Sequence, residues 1–141
     1  MLALCERHCY GNGSEATDDE LKEQWMSNEL VERHCKPCEG GVEPLTAEQA
    51  NELMRALHPA WTLSDDGFEI SRRCKFPAYS HTLAFANAVA WIAVSEGHHP
   101  VLTISYGECL IRYTTHAIKG LSDNDFICAA KIDRLISGAD E

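Results

Sequence analysis

The run from Ser80 to Glu96 constrains the fold more than any other stretch of this chain. Leu83, Ala84, Phe85, Ala86, Ala88, Val89, Ala90, Trp91, Ile92 and Ala93 make it apolar around much of its circumference, and no Asp, Glu, Lys or Arg interrupts it before Glu96. A helix of this kind buries more than one side, or buries a second face in an oligomer. Ser80 is a candidate N-cap, and Gly97 suits the left-handed residue that ends a helix.

A β-hairpin pattern stands on each side of that helix. Trp61-Thr-Leu63 and Phe68-Glu-Ile70 flank Ser64-Asp65-Asp66-Gly67, whose Asp-Gly step is a turn signal, and the second strand is expected to run to Phe76 before Pro77. Val101–Tyr106 and Cys109–Thr115 form the second pair, turning about Gly107-Glu108. Pairing Tyr106 with Cys109 puts Leu102, Ile104, Tyr106, Cys109, Ile111 and Tyr113 on one face, and Thr103, Ser105, Arg112 and Thr114 on the other. Such a division predicts a sheet with one covered face.

Two further helices complete the pattern. Thr46-Ala-Glu-Gln49 is a capping box, followed by Ala50, Leu53, Met54 and Leu57 at helical spacing up to Pro59. Ser122-Asp-Asn-Asp125 opens the last helix, whose apolar side is Phe126, Ile127, Ala130, Ile132 and Leu135, to about Ile136. The order is α-β-β-α-β-β-α. Hairpins imply an antiparallel sheet, so the expected class is α+β: four antiparallel strands with three helices packed on one face. Residues 34–45, with two prolines and Gly40-Gly41, read as a linker. Residues 1–25 read as an acidic, weakly periodic extension, partly helical from the capping box Thr17-Asp-Asp-Glu20, and residues 26–141 as a single domain.

At 141 residues and 45% apolar content, one domain with an ordinary core is expected. The formal net charge is −10, and no Lys/Arg cluster occurs, which argues against a nucleic-acid partner and an anionic membrane surface. No apolar run has the length of a membrane span, and the first residues lack the pattern of a signal peptide. Seven cysteines, an odd number, make reduced thiols in the cytoplasm the default expectation. Cys35-x2-Cys38, beside His34, has the spacing of a zinc or redox pair, and Cys5-x3-Cys9 with His8 could complete four ligands; the spacing between the pairs is unusual, and Pro37 and the glycines suit a plain turn equally well.

Chemistry concentrates in HHP-x5-Tyr-x9-His-x8-Asp, running from His98-His99-Pro100 through Tyr106 and His116 to Asp125. Histidine titrates near neutral pH, so imidazoles from two segments can supply both an acid and a base. His98 and His99 follow a helix C-terminus, whose negative end favours imidazolium. Pro100 pushes His99 into an extended conformation, turning the two rings apart, a poor arrangement for one metal ion. His116 falls on the non-core parity of its strand. These arguments assign His98 and His116 to proton transfer and His99 mainly to holding a substrate. Asp125 has a structural role available at N3 of its helix, and Tyr106 lies on the core parity, where packing is the first reading.

Glu96-Gly-His98-His99-Pro100, Tyr106, Thr115-His116 and Gly120-Leu121-Ser-Asp-Asn-Asp125-Phe126 resemble, in residue and in spacing, the pterin-4a-carbinolamine dehydratase family. Cys35-Lys-Pro-Cys38, Pro44-Leu-Thr46 and the Trp61 region are similar to bacterial members. The resemblance covers about residues 30–137, and departs from the family pattern at Val94, where a polar residue is usual. It implies removal of water from a 4a-hydroxytetrahydropterin to give the quinonoid dihydropterin, a step in recycling the tetrahydropterin used by aromatic amino acid hydroxylases. It implies His98, His99 and His116 as catalytic, with Glu96, Pro100, Tyr106, Thr115 and Asp125 around the substrate. It implies a homodimer or homotetramer, and neither a metal nor an organic cofactor. The alternative is a non-catalytic module that binds a pterin or acts through oligomerisation, as family members do with a transcription factor.

Overall fold

The computed structural model describes residues 16–37 and 42–138. The elements are α1 (Asp18–Glu32), α2 (Ala47–Met54), β1 (Trp61–Leu63), β2 (Ile70–Lys75), α3 (Tyr79–Glu96), β3 (Val101–Ser105), β4 (Glu108–Tyr113), a single 3-10 turn (His116–Ile118) and α4 (Asp123–Ser137). The four strands form one antiparallel sheet in the order β1-β2-β4-β3, and the class is α+β.

Period-two alternation places Trp61, Ile70, Arg72, Cys74, Cys109, Ile111 and Tyr113 on the covered face. α3 lies against β3 and β4 and also meets α4; α1 backs onto α4, and α2 meets β1. The core joins the covered face of the sheet to Phe126, Ile127, Ala130 and Ile132 of α4 and to Ala86 and Val89 of α3.

Four helices are present among the described residues, not three. The Thr17 capping box does start a helix, but α1 continues through Met26 to Glu32 and so crosses the boundary set from the sequence at residue 26. Its anchor is Leu30, 2% exposed, with Met26 and Val31 packed beside it. Only one turn of α1 touches the core, so the sequence shows no sustained apolar stripe there.

The hairpin β3–β4 is offset from its expected register. Ser105 pairs with Glu108 and Leu102 with Ile111, so the turn is Tyr106-Gly107. A two-residue offset keeps every side chain on its own face, which is why the alternation alone did not reveal it. Close approach selects this turn. The Phe76 N–H donates to the Gly107 carbonyl at 2.8 Å, and a Cβ on Gly107 would stand 2.9 Å from the Phe76 carbonyl oxygen. Tyr106 is consequently exposed at the tip rather than packed. β2 ends at Lys75, one residue before the expected Phe76.

α3 starts at Tyr79 with Ala78 as N-cap, ahead of the expected Ser80. The Thr82 hydroxyl bonds the Ala78 and Tyr106 carbonyls (3.2 and 3.1 Å) and holds this start against the hairpin tip. α3 buries Thr82, Ala86, Val89 and Ala93, while Trp91 and Val94 are 72% and 74% exposed.

A buried ion pair fixes β1 and β2 to α4. Asp133 accepts from the Arg72 guanidinium, from Trp61 Nε1 at 2.7 Å and from the His58 N–H at 2.8 Å. Asp133 thereby ties the C-terminal half of α4 to β1 and β2, while Asp125 sits in the first turn of the same helix.

Candidate active site

The C-terminus of α3 is closed by a Schellman motif: the His98 N–H bonds the Ala93 carbonyl (3.1 Å), the Gly97 N–H bonds the Val94 carbonyl (3.4 Å), and Gly97 takes φ +65°. This turn sends His98 inward and leaves His99 exposed. The His98 ring stacks on Tyr113 of β4, centroids 5.6 Å apart and planes 13° off parallel. Its Nε2–H donates to Asp125 Oδ1 at 2.7 Å.

Asp125 is fully buried in the first turn of α4. Its other oxygen, Oδ2, accepts from the Ser122 N–H at 2.9 Å and from the Thr115 hydroxyl at 2.8 Å, while the Ser122 hydroxyl donates to Thr115 Oγ1 at 2.7 Å. One carboxylate therefore caps α4, anchors the loop that follows β4 and orients His98. Burial presses the His98 pKa down, but the hydrogen bond and charge of Asp125, with Cys128 nearby, outweigh it and raise the value above that of an ordinary histidine.

His116 does not continue the strand. β4 ends at Tyr113, and the chain doubles back through the 3-10 turn, closed by the Thr115 N–H to the Gly120 carbonyl (2.9 Å) and by Lys119 at φ +54°. That loop carries His116 up beside the end of α3. Gly97, His98, His99, Thr114, Thr115, His116 and Ala117 line a cleft of about 170 Å³. An open depression of about 380 Å³, lined by Phe68, Thr114, His116 and Lys119, shares two of those residues. Two other hollows, of about 330 and 530 Å³, lie beside Lys36–Asn124 and among α1, the segment that follows α2 and the end of α4. Asn124 at the first bonds the backbone of Lys36, and Asp133 at the second is spent on Arg72 and Trp61.

The structure thus brings His98, His99, His116 and Thr115 to one cleft, with Asp125 directly behind His98. It does not bring Glu96 or Tyr106 there. Glu96 is buried and accepts from Lys131 Nζ (2.5 Å), the Cys35 N–H (2.9 Å) and His34 Nδ1 (3.2 Å). Burial of Glu96 is outweighed by these partners, Lys131 foremost, and its pKa is lowered. Tyr106 projects from the far end of the β3–β4 hairpin. Pro100 lies between His99 and β3, half-buried, and does not line the cleft. Sequence reasoning missed Tyr113 as the platform under His98 and Thr114, Phe68 and Lys119 as the cleft's outer wall. Phe68, two residues before β2 and exposed, carried a signal as a large apolar side chain outside the core.

No group of three or more His, Cys, Asp or Glu side chains among the described residues is arranged to hold a metal ion. Cys5, His8, Cys9 and Cys38, the other members of the possible zinc set, lie outside the described residues. Among the described residues, no helix is long and apolar enough to cross a membrane.

Comparison with known proteins agrees with this geometry. The profile of the family "Pterin 4 alpha carbinolamine dehydratase" matches residues 43–135. A Nitrosomonas eutropha protein provisionally named pterin-4-alpha-carbinolamine dehydratase is 53% identical over 108 residues, covering 77% of this chain and 94% of its own length. A Legionella pneumophila protein with the same provisional name is 44% identical over 111 residues, 79% of this chain and 98% of its own. Among solved structures, a transcriptional coactivator/pterin dehydratase from Brucella melitensis superposes with a TM-score of 0.62 at 29% identity, covering 66% of this chain and 98% of that one. The matched span holds the whole sheet, the cleft and the His98–Asp125 pair, and the chain belongs to the pterin 4 alpha carbinolamine dehydratase family.

Proposed function

We propose that this protein dehydrates a 4a-hydroxytetrahydropterin to the quinonoid dihydropterin. The observation that carries the reading is the His98–Asp125 hydrogen bond at the floor of a cleft that also holds His99 and His116. The substrate bears a hydroxyl on the ring carbon next to an amine nitrogen. Hydroxide is a poor leaving group, so its oxygen must take a proton as the C–O bond breaks. The ring N–H must lose a proton as the C=N bond forms. The sum is one water released and no change in oxidation state.

His98 suits the acid. Its Nε2 is committed to Asp125, its raised pKa keeps it protonated to higher pH, and Nδ1 is left to exchange a proton. His116, on the loop across the cleft, takes the ring proton, and His99 holds the pterin. Paired acid and base groups each contribute about 10²–10⁴-fold. The small cleft admits the edge of a flat bicycle, and the depression by Phe68 and Lys119 takes what extends beyond it. The assay is the loss of ultraviolet absorbance of the 4a-hydroxy species against the slow spontaneous rate; acceleration supports the reading, and binding of a pterin analogue without acceleration supports the non-catalytic alternative.

The wider setting rests on the family resemblance. The step recycles the tetrahydropterin of an aromatic amino acid hydroxylase, in the cytoplasm, with α1 and the residues after it acting as one catalytic domain. Self-association is supported by the outward face of α3, where Tyr79, Leu83, Trp91 and Val94 are exposed together, and light scattering on the purified chain tests it.

A further inference from the structure

We propose that Cys35 and Cys128 form a disulfide under peroxide, fastening the segment after α1 to the helix that carries Asp125. The two Sγ atoms are 3.6 Å apart although the residues are 93 positions apart in sequence. Cys35 is half-buried at the surface end of the pair, and Cys128 is fully buried one turn beyond Asp125. A sulfur–sulfur bond of about 2.05 Å requires the pair to close by roughly 1.5 Å.

The surroundings hold Cys35 in place for that step. Its N–H bonds Glu96 Oε2 at 2.9 Å. On its other side the Lys36 N–H bonds Asn124 Oδ1 (3.1 Å) and Asn124 Nδ2 bonds the Lys36 carbonyl (2.7 Å), a two-point clasp onto the first turn of α4. Either sulfur can donate to the other, and Cys35 Sγ also lies 3.7 Å from the Asn124 carbonyl oxygen. The contact with Cys35, opposed by burial and aided by His98, lowers the Cys128 pKa, which favours Cys128 as the group that attacks an oxidised Cys35. The dehydration chemistry uses neither sulfur.

Peroxide meets the accessible sulfur first, and because the hydrogen bond to Cys128 and burial raise the Cys35 pKa, this first step is slow. Cys35 Sγ attacks one peroxide oxygen; the O–O bond breaks, the sulfur is oxidised to a sulfenic acid and one water leaves. Cys128 Sγ then attacks Cys35 Sγ; the S–S bond forms, the S–O bond breaks and a second water leaves with the Cys128 proton. Two thiols and one hydrogen peroxide give one disulfide and two waters. Cys74 and Cys109, paired across β2 and β4, are both buried from solvent and remain thiols.

The test uses the full chain, purified reduced, exposed to hydrogen peroxide, alkylated in denaturant and digested with trypsin without reduction. The expected product joins the peptide His34–Arg55 to Gly120–Lys131 at a mass two hydrogens below their sum, plus one alkyl group on Cys38. Cys38→Ser keeps the product and Cys35→Ser abolishes it. The oxidised wild-type chain melts at least about 5 °C higher than the reduced one, as closing so long a loop predicts, and dithiothreitol reverses the shift. Full alkylation of Cys128 after peroxide, or a bond from Cys35 to Cys38, Cys5 or Cys9, overturns the proposal. Should a Cys128→Ser chain fail to fold, the comparison of Cys35→Ser with Cys38→Ser still decides it.

Discussion

His98 Nε2 and Asp125 Oδ1 lie 2.7 Å apart, joining the end of one helix to the start of another across 27 residues of chain. The carboxylate is fully buried and the imidazole side chain is 12% exposed, so this bond is shielded from water on one side and open to the cleft on the other. It is worth more there than the same contact on a surface, because the medium around it is less polarisable.

Replacing Asp125 by Asn keeps a hydrogen-bonding side chain but removes the charge. The His98 pKa, read by proton NMR titration of the ring, should fall below its wild-type value, and kcat near neutral pH should drop by about 10- to 100-fold as the acid deprotonates. An unchanged titration would mean that Asp125 does not set the proton affinity of His98.

The same pair shapes the dependence of stability on pH. A raised native pKa means the folded chain holds a proton that the unfolded chain has released, so this contribution is complete below the unfolded value of about 6.5 and is lost as pH rises through the folded value. Urea denaturation of the wild type across that window should show stability decreasing with pH more steeply than in Asp125→Asn.

Asp133→Ala leaves the Arg72 guanidinium buried without its carboxylate and removes the partner of Trp61 Nε1. A loss of about 3–5 kcal/mol is expected in urea denaturation, the usual cost of an uncompensated buried charge. Replacement of Arg72 and Asp133 together by apolar residues should recover part of it.

Glu96→Gln weakens the contacts to Lys131 and Cys35 behind the site while leaving the cleft lining intact. Stability should fall by about 1–3 kcal/mol, with KM for the pterin close to wild type. A large rise in KM with unchanged stability would place Glu96 against the substrate instead.

These outcomes separate what the sequence made plain from what it did not. The α3 segment, the two hairpins and the capping boxes at Thr46 and Ser122 were legible because each is a local pattern read within a few residues. The histidines at 98, 99 and 116 were legible through their joint spacing. The stack of His98 on Tyr113 was not, because it joins the end of a helix to the far end of a strand that the chain reaches only after β3 and its turn. Glu96 carried a site reading because it sits two residues from His98; the helix turns it onto Lys131 and Cys35 instead. α1 was underestimated because its packing rests on one leucine at its far end, Leu30. The turn at Tyr106-Gly107 depends on the backbone of Phe76, some thirty positions earlier, which no local pattern records.

Steady-state kinetics on three single replacements test the central claim most directly, with loss of the 4a-hydroxytetrahydropterin chromophore as the signal. The account predicts that the wild type exceeds the spontaneous rate, that His98→Ala and His116→Ala each lower kcat by about 10²–10⁴-fold, and that His99→Ala acts mainly on KM. A wild-type rate equal to the blank, or a His98→Ala chain that keeps full kcat, would contradict it.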